Sequence, residues 1–185
     1  HRTFWNQNLI REVTAIAQEQ EPPRREESDD QENARVFAEH RLRPWSEVSA
    51  ASERVYAELI ALIECLSEEQ LTTSNRFSWG WPLYALLLGN GYEHNQEHVV
   101  QYYADRHDLP RAIQLREQCA NRVLQAAVPA RVKGSFLYNL ACFYAQQRQL
   151  EQAIARLQEA VAHDPQLQEQ AKSDPQLAAL RDQLA

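Results

Sequence analysis

The stretch SEVSAASERVYAELIALIECLS, residues 46–67, decides the fold class. Val48, Ala51, Val55, Leu59, Leu62 and Leu66 recur at steps of three and four, which aligns them along one face of an α-helix. Ser46 stands where a hydroxyl can cap the first free amides, with Glu47 and Ser49 beside it. A helix apolar on one side only must bury that side, and the partner this pattern demands is another helix. Upstream, His1, Trp5, Leu9, Val13 and Ile16 share a face of a first helix running from about His1 to Gln20 and stopping before Pro22 and Pro23. The stretch Glu19–Glu32, with its proline pair and seven acidic residues, is expected to be a solvated linker, followed by a short helix over Asn33–Arg41 that ends ahead of Pro44.

Downstream, Thr72–Gly80 together with Trp81 is dense in aromatic residues, and an aromatic plug over one end of a bundle is expected there. Pro82 suits the first turn of a helix ending near Asp105. Gly89 and Gly91 inside that helix imply either close approach to a neighbour or a kink. Only four glycines occur and no run alternates in the manner of a strand, so the chain is expected to be all-α: an up-and-down helical bundle with a further helical region behind it.

Composition narrows the function. With 44% hydrophobic residues, 24% charged residues and a mean hydropathy of −0.62, the 185-residue chain can bury a real core. No apolar run approaches the roughly 20 residues a membrane helix needs, so a membrane role is not expected. A net charge of −7 repels phosphate backbones, and the aromatic residues are not interleaved with basic clusters, which argues against nucleic acid. Cys65, Cys119 and Cys142 are widely spaced and are expected to be reduced core thiols of a cytoplasmic protein. Position 1 is histidine and no methionine occurs, so a fragment or a processed product is expected.

The candidate chemistry lies on the helix that follows Pro82. Stepping along its face from Leu83 through Leu87 and Asn90 reaches His94 and His98, two imidazoles one helical turn apart where apolar residues are expected. Buried imidazoles need partners, and a divalent metal ion would satisfy both at once, with His1 as a third ligand from the opposite end of the sequence. The pair by itself also fits core histidines hydrogen-bonded to Tyr92, Tyr102 or Asn90, or an exposed pair if the helix is rotated. Three neutral imidazoles suit zinc or nickel, with iron and manganese as further candidates. No H-E-x-x-H is present, so a protease-type zinc mechanism is not indicated. Glu93 and Glu97 face about 100° away from the histidines and are expected to be solvated.

These residues carry a resemblance. The block Phe77-Ser78-Trp79-Gly80-Trp81-Pro82-Leu83-Tyr84, followed by Gly89-Asn90-Gly91-Tyr92-Glu93-His94-Asn95-Gln96-Glu97-His98, resembles the last helix of the DinB-like four-helix bundles, and of their ClbS/DfsB branch in particular. Leu62-Ile63-Glu64-Cys65-Leu66-Ser67-Glu68-Glu69-Gln70-Leu71 resembles a helix ending in that branch, and His1-Arg2-Thr3-Phe4-Trp5-Asn6 resembles the second helix of the bundle, with Asn6 in place of the usual acidic residue. The resemblance covers residues 1–106 and implies a bundle whose first helix lies outside this chain. It also implies a divalent-metal site at His1, His94 and His98. Thiol-dependent transferases and hydrolases occur in the superfamily, including a hydrolase that protects against a genotoxin, so a detoxifying or stress-related enzyme is what it points to.

Residues 107–185 carry a different pattern. With Pro165 as the closing proline of a 34-residue repeat, Leu137, Leu140, Ala141, Tyr144, Ala153, Leu157 and Ala160 fall at the signature positions of a tetratricopeptide repeat. Leu137 stands where tryptophan is common and Ala141 where glycine is common. The helices are expected over Ala130–Gln147 and Leu150–His163, flanked by Pro110–Ala127 and Leu177–Leu184. Asp164-Pro165-Gln166-Leu167 and Asp174-Pro175-Gln176-Leu177 look like successive capped helix starts. One repeat rarely stands alone, so this region is expected to lean on neighbouring helices, and a protein or peptide partner or a homodimer is the expected use. Two function classes follow: a metal-dependent transferase or hydrolase, and a protein-interaction scaffold with a degenerate bundle.

Overall fold

The computed structural model describes residues 1–73 and 80–183, and its regular elements are helical throughout, with no strand among the described residues. The chain is all-α. The expected aromatic plug, with the Phe77–Trp79 part of the motif, falls on residues 74–79 and lies outside the described residues, as do residues 184–185. Two compact units are distinguished, His1–Asn95 and Gln96–Ala185. No helix among the described residues is long and apolar enough to cross a membrane.

In the first unit, α1 (Arg2–Ala17) packs against α3 (Trp45–Cys65), while α2 (Asp29–His40) and α4 (Glu68–Thr72) are short. Leu9, Val13 and Ile16 of α1 meet Leu59 of α3 in a core completed by Leu83 and Leu87. α2 begins earlier than its apolar pattern suggests. Ser28 and Gln31 form a reciprocal capping box that draws Asp29 and Asp30 out of the expected linker into the first turn, where carboxylates favour the helix dipole. α3 starts after Pro44 with no side-chain cap, so the role expected of Ser46 is not used. Cys65, at the end of α3, is exposed rather than in the core; Cys119 and Cys142 are buried, and all three thiols are free.

The helix after Pro82 is not uniform. A single turn, α5 (Leu83–Leu86), passes into a π-helical segment over Leu87–Glu93, and α-geometry resumes in α6 (His94–Asp105). The wider π turn moves the inward face on by one residue, so Gly91 is buried and Asn90 is exposed. Gly91 is there for close approach: a Cβ at that position would lie 3.2 Å from Leu9 Cδ2 and 3.4 Å from Leu59 Cδ2. At Gly89 a Cβ would meet nothing within 4 Å.

In the second unit, α8 (Ala130–Gln146) packs along α9 (Leu150–His163), with α7 (Leu109–Gln125) on its other side. The seven positions picked out by the repeat pattern, from Leu137 to Ala160, are all buried. Their small members bring the two helices close, and Gly134 is so near that a Cβ would stand 3.1 Å from the Ala160 carbonyl oxygen. The Asp164 and Asp174 carboxylates accept the backbone N–H groups of Gln166 (3.1 Å) and Gln176 (2.8 Å). The first of these turns leads into α10 (Leu167–Ser173), and the second opens a 3-10 helix over Pro175–Gln183 where an α-helix was expected over Leu177–Leu184. Three residues per turn stack Leu177 above Leu180, and both are fully buried, so the tighter helix serves the core better.

Candidate metal centre

His1 stands at the N-terminal cap of α1, and His94 is the first residue of α6. Packing of α1 against the π-helical segment brings the two together, with Nε2 to Nε2 at 3.1 Å and ring centroids 5.4 Å apart at 30°. His98 follows His94 by one turn of the same continuous helix, so it is placed beside His94 by helix geometry. One ring nitrogen from each of the three histidines lies within 4.8 Å of the others. These residues are close enough to hold a metal ion.

The distances suit that role. Two imidazole nitrogens about 2.05 Å from one ion are separated by about 3.3 Å in tetrahedral and about 2.9 Å in octahedral geometry, and the His1–His94 pair lies between these values. At the same distance the two rings can share one hydrogen bond in complementary tautomers.

The surroundings differ from expectation. His1 and His98 are exposed and His94 is half-buried, so the imidazoles stand at the surface and not in a dry inward cleft. The π-helical segment explains this, because it turns the apolar stripe onto Gly91 and leaves His94 at the stripe's edge. Glu93, expected to be solvated, is buried. Glu97 is exposed and pairs with Arg116 at 3.3 Å.

Comparison with protein families, with curated proteins and with solved structures finds no match.

The site therefore stands on its own geometry. Around His1, the Trp5 ring lies 5.9 Å away at 50°, its Nε1 donates to Asn33 Oδ1 at 2.9 Å, and the Arg25 guanidinium sits 4.9 Å from the ring centroid. Arg25 is held in turn by Asp29 and Glu32. α2 thus anchors the ring next to the first ligand. A buried polar layer on the same elements escaped sequence reasoning: Asn6 on α1 is 1% exposed, Ser52 on α3 accepts from Arg2 Nε at 2.6 Å, and Glu93 ends the π-helical segment. For Asn6 a sequence signal existed, since it interrupts the apolar face of the first helix next to Trp5. For Glu93 there was none, because its burial depends on the π register.

Proposed function

We propose that the N-terminal helices bind one divalent metal ion through His1, His94 and His98, and that the protein is a DinB-like metal-dependent transferase or hydrolase acting on a small reactive molecule. The observation that carries this reading is that one ring nitrogen from each of the three histidines lies within 4.8 Å of the others. Three neutral nitrogen donors leave coordination positions open and suit zinc or nickel. When bound, such an ion would polarise an electrophile or acidify a water or thiol. The exposure of His1 and His98 fits a site that takes its substrate from solution. Trp5, fixed by Asn33 and Arg25, supplies a flat apolar wall against which one ligand is oriented.

Metal content tests the reading. Protein loaded with zinc or nickel and then desalted should retain about one ion per chain, and His94→Ala with His98→Ala should retain none. Equal retention by wild type and double variant, or none by either, would overturn it. The alternative of a protein-interaction scaffold draws support from the close-packed α8–α9 pair, whose buried positions follow the repeat pattern; it predicts no bound ion.

A further inference from the structure

Most of α2 faces away from the rest of its unit. Within the helix only Glu32, Asn33 and Val36 turn inward, while Asp30, Ala34, Phe37 and the C-cap residue Arg41 are all exposed. Steps of four, three and four residues, at about 100° each, hold those four side chains within about 60° of one another around the helix axis. Arg41 belongs to the row although it caps the helix, because its backbone stays right-handed helical (φ −58°, ψ −22°). Phe37 is 69% exposed, and Leu42 (84%) and Trp45 (78%) follow at the corner where the chain turns into α3. Large apolar side chains gathered outside the core in this way mark an interaction surface. The charges of the helix fall into two groups. Asp29 and Glu32 hold Arg25, Arg35 holds Glu27 and Glu39, and His40 lies 3.9 Å from Glu39. Asp30 and Arg41, the two charges in the exposed row, pair with nothing among the described residues.

These two charges stand at matching distances from the centre of the row. From the midpoint between Ala34 and Phe37, Asp30 lies about 8 Å toward the N-terminus of the helix and Arg41 about 8 Å toward its C-terminus. A two-fold axis through that midpoint, normal to the helix, lays a second α2 antiparallel on the first. Phe37 of each copy then meets Ala34 of the other, and Asp30 of each meets Arg41 of the other. We propose that the protein forms a homodimer through this face of α2. The occupant is a second copy because the face is complementary to itself, as a two-fold interface requires. The methyl group at position 34 leaves room for the ring of Phe37, so the apolar contact and both ion pairs form in one register. A parallel pair would set each charge against its like, so the charges also select the direction. Antiparallel axes bring the positive end of each helix dipole beside the negative end of the other. A helix of 12 residues supplies less than the roughly 800 Å² per partner of a standard interface, even with Leu42 and Trp45 nearby, and a dissociation constant of about 10–100 μM is expected. The dimer does not depend on the metal reading above.

The test is analytical ultracentrifugation of the whole chain between about 5 μM and about 500 μM, with chelator present so that a metal ion on exposed histidines cannot bridge two copies. Wild type should pass from monomer to dimer across that range, and Phe37→Ala should weaken association about tenfold or more. Asp30→Arg and Arg41→Asp each oppose like charges twice per dimer and should each weaken it about tenfold. Mixed in equal amounts, these two variants should associate with each other about as tightly as wild type does with itself, because every contact between them again joins opposite charges. All three residues are exposed, so helix content by circular dichroism should not change. The same two chains are compared alone and mixed, so a fault in the folding of either could not produce the recovery. A monomer at every concentration, charge variants that dimerise like wild type, or a mixture that associates no better than its components would overturn the proposal. Retention of metal is measured separately, so dimer and metal centre can fail independently.

Discussion

Gly89 and Gly91 look equivalent in the sequence and differ sharply in the fold. Gly91→Ala pushes a methyl group to 3.2 Å from Leu9 Cδ2, and in a denaturant titration it should be less stable than Gly89→Ala by about 1 kcal/mol or more, because the crowding offsets the helix-propensity gain. Gly89→Ala meets nothing within 4 Å and should be neutral or stabilising by up to about 1 kcal/mol. The cysteines separate in the same way. Burial, with the nearby Asp174 carboxylate adding to it, pushes the Cys142 thiol up to about 12, and Cys119 is also buried, whereas Cys65 is exposed. A thiol reagent at pH 8 should therefore label one cysteine in the native protein and three after denaturation. Nothing in the spacing of the three residues distinguishes Cys65 from the others; only its position at the end of α3 does.

Three helices end in an unusual way. Glu19 (φ 57°), His107 (φ 61°) and Arg148 (φ 59°) occupy the left-handed position normally given to glycine. In each case the next residue reaches back to close the helix: Gln20 to Ala15, Asp108 to Tyr103 and Gln149 to Tyr144, at 2.8–3.0 Å. A side chain in this conformation is strained by about 1–2 kcal/mol, part of which glycine returns through its floppier unfolded state. Arg148→Gly is therefore expected to raise stability by about 0.5–1 kcal/mol, read as a higher melting temperature. Ser28→Ala breaks the capping box of α2 and should cost about 1 kcal/mol, with faster amide exchange confined to residues 29–40. The amphipathic stripes made α1, α3, α8 and α9 legible from sequence. The π-helical segment was not, because its register reflects how Gly91 seats against Leu9 and Leu59.

At the scale of the whole chain, the metal reading joins sites far apart in sequence. Bound metal stabilises the native state alone, so zinc or nickel at about 100 times its dissociation constant should add about 2.7 kcal/mol to wild type and nothing to the His94→Ala, His98→Ala double variant. His1→Ala should lose most of that gain, since it removes the ligand that comes from α1. A stabilisation that survives all three substitutions would place the ion elsewhere.

The sequence by itself determined that the chain is helical, which faces of α1, α3, α8 and α9 are buried, and which three histidines to compare. Those conclusions rest on periodicity, a property of neighbours along the chain. Tertiary structure alone decided that the imidazoles lie at the surface, that Glu93 is buried and Cys65 is not, and that Phe37 stands exposed on α2. Exposure at a helix edge depends on the exact turn on which each residue sits, and one π-helical segment is enough to move it.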